Sequence, residues 1–136
     1  MKAAGTNQTR AHRLLVVDDE ALVAFDLQSM LTDAGYAVQV AHDSKHALRV
    51  AQEHVPDGII LDVNLGSGPD GIATASILRS IGIDAPIIFL TAYGDEMTRA
   101  RITLIGRAWL LHKPAMPQEV DAAIRSALRF ARYRKT

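Results

Sequence analysis

The chain has 136 residues, about half of them apolar, with fifteen acidic against fifteen basic side chains. That is enough for one domain with its own core, and the balanced charge leaves no global field to favour nucleic acid or a membrane surface. The lack of cysteine excludes disulfides, thiolate metal sites and cysteine nucleophiles. With a polar Met1–His12 and no long apolar run, a cytoplasmic protein is expected.

Residues 1–12 read as a disordered arm. Arg13–Val17 is a first strand, and Asp18-Asp19-Glu20 is the turn leaving it. From Ala21 to Ala34 the apolar set Val23, Leu27, Met30, Leu31 and Ala34 marks one face of a helix, with Gly35 placed to stop it. Tyr36–Ala41 is a second strand. Asp43 or Ser44 caps a helix to about His54, and Pro56-Asp57 breaks the chain. Gly58-Ile59-Ile60-Leu61 is a continuous apolar run ending in Asp62, the pattern of a strand buried on both faces.

A Gly/Ser/Pro-rich loop leads to Asp70, the expected cap of a helix to about Ile81. A fourth strand, Ile87–Leu90, ends at Thr91. A weaker helix is expected over Gly94–Ile105, a fifth strand over Ala108–His112, and a last helix from Pro117 with the periodic set Val120, Ile124, Ala127, Leu128 and Ala131. Strand and helix thus alternate five times, which predicts a parallel sheet wrapped by helices in one domain.

The unusual polar residues fall at strand ends: Asp18 and Asp19 after the first, Asp62 after the third, Thr91 after the fourth, Lys113 after the fifth. In a parallel sheet these ends share one edge, where ligands collect. A single aspartate there is ordinarily a turn or cap residue; five matched positions are harder to assign to turns. Three close carboxylates raise one another's pKa unless a cation compensates. An all-oxygen set favours a hard ion such as magnesium. Metal, lysine and hydroxyl together would receive a phosphoryl group, with carboxylate attack on phosphorus as the chemistry left over and Asp62 as its nucleophile.

The motifs Leu15-Val16-Val17-Asp18-Asp19-Glu20, Ile60-Leu61-Asp62-Val63-Asn64-Leu65, Asp70-Gly71, Leu90-Thr91-Ala92 and Lys113-Pro114, in this order and spacing, resemble those of a response-regulator receiver domain. The resemblance covers about Arg13–Arg132. It implies a flavodoxin-like, doubly wound α/β fold: five parallel strands in the order 2-1-3-4-5, flanked by five helices. By resemblance Asp62 accepts a phosphoryl group from a sensor histidine kinase or a histidine phosphotransfer protein. Asp19, Asp62 and the backbone carbonyl of Asn64 would hold magnesium (or manganese), with Asp18 helping through water. Thr91 and Lys113 would bind the phosphoryl oxygens, and Ala92 would leave room for them. The protein would be a self-modifying phosphoacceptor rather than an enzyme acting on other molecules.

Three departures stand out. Leu110 occupies the place, three residues before Lys113, where receivers carry the aromatic of their signalling switch. The loop after Asp62 is one residue longer than in many receivers, and Ala115 follows Lys113-Pro114 where an aromatic is common. Phe89-Leu90-Thr91-Ala92-Tyr93 resembles the signature of the FAT GUY receivers, typically single-domain regulators that also lack the switch aromatic. By that likeness Tyr93 would replace the missing ring or gate water, against the plainer reading of a surface tyrosine.

The expected boundaries are a receiver domain over 13–132 and a basic tail over 133–136, with no output domain. Output would then run through a downstream protein docked on the face of the fourth helix, fifth strand and last helix, through a homodimer, or through onward phosphate transfer. The cations Arg125, Arg129, Arg132, Arg134 and Lys135 read as a solvated helix end, which disfavours a nucleic-acid role. Trp109 reads as helix-packing filler, and His42, His46 and His112 as surface histidines. Two alternatives remain open: an interaction module independent of phosphate, and a phosphatase with Asp62 as nucleophile. The second is weakened because Asn64 stands where such enzymes want another aspartate.

Overall fold

The computed structural model describes residues 10–135, with side chains through Phe130. Five strands, β1 (Arg13–Val17), β2 (Ala37–Ala41), β3 (Gly58–Asp62), β4 (Ile87–Thr91) and β5 (Ala108–His112), alternate with five helices. The helices are α1 (Ala21–Asp33), α2 (Ser44–Glu53), α3 (Gly71–Ser80), α4 (Glu96–Ile105) and α5 (Pro117–Lys135). All strand pairs are parallel, in the order β2-β1-β3-β4-β5. The fold is the expected flavodoxin-like one.

The strand patterns follow from position in the sheet. β3 and β4 are buried at every residue and β1 at all but Arg13, so each reads as an unbroken apolar run. The edge strands β2 and β5 are only partly covered. One core, around Leu61, Phe89, Leu78 and Ile102, fills the face under α2, α3 and α4. The other, around Val16, Ile60, Leu31 and Ile124, fills the face under α1 and α5. Each fully buried aliphatic side chain in them is worth about 1.5–3 kcal/mol. Strand alternation sends Leu110 to the first core, while Trp109 turns the other way and meets Phe130 of α5 edge-on at 5.8 Å. Trp109 is therefore packed on a helix, with 36% of its surface still exposed.

Several boundaries differ from the sequence reading. α1 closes with Gly35 at φ +106 and the Tyr36 N–H donating to the Leu31 carbonyl at 3.1 Å, so β2 begins one residue late, at Ala37. Asp43, not Ser44, caps α2 through the His46 N–H. α4 starts at Glu96 because Asp95 stays extended and accepts from the Thr98 N–H at 2.8 Å. α5 continues through Lys135, so the tail expected over 133–136 is helical up to Thr136, which lies outside the described residues. Of the arm expected over 1–12, residues 1–9 lie outside the described residues and Arg10–His12 are exposed coil. Among the described residues no helix is long and apolar enough to cross a membrane.

Candidate functional site

The register of the sheet brings the predicted residues to one edge. Asp62 pairs with Leu90 and Thr91 with His112, so the ends of β3, β4 and β5 stand side by side. The ladder continues past them: the Val63 N–H donates to the Leu90 carbonyl at 2.9 Å and the Lys113 N–H to the Thr91 carbonyl at 2.8 Å. Lys113 thereby faces Asp62 from two strands away, and its Nζ donates to Asp62 Oδ2 at 2.8 Å. The Lys113–Pro114 peptide is cis.

These residues line a cleft of about 500 Å³ that includes Asp19, Asp62, Asn64, Thr91, Ala92, Tyr93 and Lys113. Asp18 lies just behind it, 1% exposed. Leu110 does not line the cleft; it packs into the core beneath.

Burial and charge set the chemistry. Asp62 is 3% exposed, with Oδ1 accepting from the Asn64 N–H at 3.1 Å and Oδ2 from Lys113. Asp18 Oδ1 accepts from the Glu20 N–H at 2.9 Å. Among the described residues, Asp18 Oδ2 is buried without a hydrogen-bond partner. Burial, with the charge of Asp62 adding to it, pushes the Asp18 carboxyl up to about 6 against the pull of the Glu20 amide and Lys113. Partial burial works against the Lys113 charge, but the hydrogen bond and charge of Asp62, with Asp18 and Glu20 behind it, hold its pKa above the ordinary value.

The donor set fits a hard divalent cation. Asp18, Asp19 and Asp62 each offer a carboxylate oxygen within 4.8 Å of the others, and the orphaned Asp18 oxygen is the kind of buried atom a cation or its water would satisfy. Two glycines shape the approach. A side chain on Gly66 would crowd Asp19 Oδ2 at 3.1 Å, and one on Gly71 would run into the Asp62 carbonyl oxygen.

Thr91 is in place but engaged: its hydroxyl donates to the Tyr93 carbonyl and accepts from the Tyr93 N–H, both at 3.0 Å. Tyr93 is 78% exposed at the rim. The sequence reading did not find Glu20, Thr98 and Arg101 as cleft residues, and gave Asp70 as a helix cap and part of a motif but not as a cleft residue. A cation downstream of the acidic start of α4 is what a helix dipole favours, so nothing in the sequence marks Arg101 as a cleft residue. His112 also does more than fill the surface. Its ring lies where a Gly94 side chain would go, and Arg99 spans from His112 Nε2 (3.3 Å) to the Gly94 carbonyl (2.9 Å), fastening the β4–α4 loop to β5.

The sequence model of the response regulator receiver domain matches residues 14–125. The alkaline phosphatase synthesis transcriptional regulatory protein PhoP of Bacillus subtilis is 38% identical over 86% of this chain and 48% of its own length. Response regulator MprA of Mycobacterium ulcerans is 38% identical over 86% of this chain and 50% of its own. The chain thus spans about half the length of the curated relatives it matches. Among solved structures, Vibrio cholerae chemotaxis protein CheY4 superposes with a TM-score of 0.81 at 28% identity, covering 86% of this chain and 98% of that one. The receiver domain of the Francisella response regulator 1452 gives 0.80 at 26%, covering 88% and 98%.

Proposed function

Because the chain belongs to the response regulator receiver domain family, we propose that it is a phosphoacceptor of two-component signalling, taking a phosphoryl group on Asp62 from a sensor histidine kinase or a histidine phosphotransfer protein. One observation carries this reading: a buried Asp62 at a central strand end, facing a cleft, with Lys113 at 2.8 Å and two further carboxylates within 4.8 Å. In the transfer an Asp62 oxygen attacks phosphorus while the phosphorus–nitrogen bond of the donor breaks. The electron pair stays on the donor imidazole, which takes up a proton, and an acyl phosphate remains.

Magnesium (manganese would also serve), held by Asp19, Asp62 and the Asn64 backbone carbonyl with Asp18 acting through water, would supply positive charge against the phosphoryl oxygens. Lys113 already contacts Asp62 and offers its ammonium to one oxygen of the group. Thr91 can reach another only by leaving Tyr93, so the threonine hydroxyl is a natural reporter of phosphorylation.

We read the protein as a cytoplasmic, self-phosphorylating and self-dephosphorylating signal carrier rather than an enzyme acting on other substrates. Its output would be docking of a downstream protein on α4, β5 and α5, where Met97 (71%) and Leu104 (87%) are exposed, a homodimer through that face, or phosphate relay. The missing aromatic at Leu110, together with the exposed ring at the rim, supports a switch of FAT GUY type in which Tyr93 takes over. Tyr93→Ala is then expected to change the lifetime of the phosphoprotein by several fold, read by intact mass after donor removal. An unchanged lifetime and unchanged partner binding would remove Tyr93 from the switch.

The deciding experiment is incubation with magnesium and acetyl phosphate followed by intact-mass measurement. One added phosphoryl group, absent in Asp62→Asn and without cation, is the expected result. Turnover of varied phosphoesters would favour the phosphatase. Leu110, taken as a lost signalling switch, and the engaged Thr91 hydroxyl support the module reading, and an unmodified chain even with cognate kinase would favour it.

A further inference from the structure

The cleft carries a second cation. Arg101, on α4, lines it beside Asp62, Thr91, Thr98 and Lys113. Its guanidinium grips both oxygens of Asp70, Nη1 to Oδ2 at 3.0 Å and Nη2 to Oδ1 at 3.2 Å. Asp70 is fixed in turn, since its Oδ1 caps α3 through the Ala73 N–H at 2.8 Å. Burial pushes the Asp70 carboxyl up, but that amide and Arg101 outweigh it and hold the carboxyl below the ordinary range, so the acid stays ionised.

A fork of N–H donors that fits a carboxylate edge also fits two oxygens of a phosphoryl group. The pair is loosely held, with 44% of the Arg101 side chain and 36% of the Asp70 side chain exposed, so separating it costs little. The charge around it is lopsided: Asp19, Glu20, Asp62 and Asp70 face only Lys113 and Arg101 in the cleft. Phosphorylation would take Asp62 from one negative charge to about two and add three acceptor oxygens, while Asp70 stays as it was.

On the reading of Asp62 as phosphoacceptor, we propose that Arg101 is a phosphoryl-binding residue held in reserve by Asp70. Once Asp62 carries the group, the guanidinium exchanges the Asp70 carboxylate for phosphoryl oxygens. The exchange releases the middle of α4 from the start of α3. Both the site of modification and the helix expected to carry the output are thereby linked through one side chain.

Beryllium fluoride, which forms a phosphoryl-shaped adduct on carboxylates, tests this at equilibrium on the whole chain with magnesium, followed by ¹⁹F NMR. Arg101→Ala is expected to weaken the adduct about tenfold, as loss of a charge-assisted bidentate contact should. Arg101→Lys is expected to recover part of that. Asp70→Asn keeps a capping side chain but frees the arginine, and is expected to tighten the adduct several fold. The decisive outcome is epistasis: the Asp70→Asn gain must vanish in the Asp70→Asn/Arg101→Ala double variant. An Arg101→Ala affinity equal to wild type, or a gain that persists without Arg101, overturns the inference alone. A wild-type protein that takes neither fluoroberyllate nor phosphate on Asp62 overturns the phosphoacceptor reading itself.

Discussion

Gly71→Ala is expected to destabilise the fold by about 3–5 kcal/mol, the range of severe overpacking against atoms that cannot move. An added methyl would run into the Asp62 carbonyl oxygen and lie 2.9 Å from both the Asp62 carbonyl carbon and Val63 Cα. All three are backbone atoms at the end of β3, so no rotamer relieves the clash. The Gly71 N–H also donates to the Val63 carbonyl at 2.7 Å, and moving the start of α3 away from the end of β3 breaks that bond. Because the strain falls on the residue proposed to take the phosphoryl group, molecules that still fold should also phosphorylate slowly. Gly68→Ala is the control. It stands at φ +84 with nothing within 4 Å of the added methyl, so only the left-handed backbone penalty of about 1–2 kcal/mol applies. Urea unfolding of the two variants decides the matter; a Gly71→Ala loss no larger than that of Gly68→Ala would refute the severe clash expected from the close approach.

Gly71 also illustrates what can be read from the chain alone. Its place after Asp70 in a motif is visible in sequence, and so are the alternation of strands with helices and the return of Asp18, Asp19, Asp62, Thr91 and Lys113 to one edge. Those features depend on local patterns and on a topology with few alternatives. The reason the glycine is needed, a close approach to the β3 backbone, depends on how α3 enters the sheet. Pairings between remote residues are equally silent. Asp70 and Arg101 are thirty-one positions apart, and each already has a sufficient local explanation, one as a cap and the other as a cation downstream of a helix's acidic start. Arg79, in the last turn of α3, carries no signal of its own in the sequence. It ties the sheet's other edge together, donating to the carbonyls of Ile83, Ala85, Gly106 and Arg107. The start of α4 shifted for a related reason: Asp95, which lies inside the helix expected from sequence, is its N-cap, and the His112 ring against Gly94 leaves the helix to begin after it.

Asp18→Asn is expected to stabilise the metal-free protein by about 2 kcal/mol near pH 8 and to remove most of its stabilisation by magnesium. The sign follows from the raised carboxyl, at about 6 in the folded protein against 3.8 in the free side chain. Below about pH 4 the group is protonated folded or unfolded, and its burial costs no charge. Between about 4 and 6 the unfolded chain gives up the proton that the fold retains, so stability falls as pH rises. Above about 6 the fold must hold the buried charge, and the full penalty remains. Asparagine fills the same space and still accepts from the Glu20 N–H, but carries no charge to desolvate. A divalent cation bound as proposed would relieve the same penalty in the wild type by satisfying the orphaned Asp18 Oδ2 and the neighbouring Asp19 and Asp62. Proton and cation therefore compete, and magnesium should raise the melting temperature more near pH 8 than near pH 5. Thermal melts with chelator or with magnesium, at both pH values and for both proteins, give the four comparisons required. A wild-type melting curve that responds to magnesium equally at both pH values would separate the raised carboxyl from cation binding. If the two are linked, the carboxylate that weakens the metal-free fold is also the one that would draw a cation to the proposed phosphorylation site.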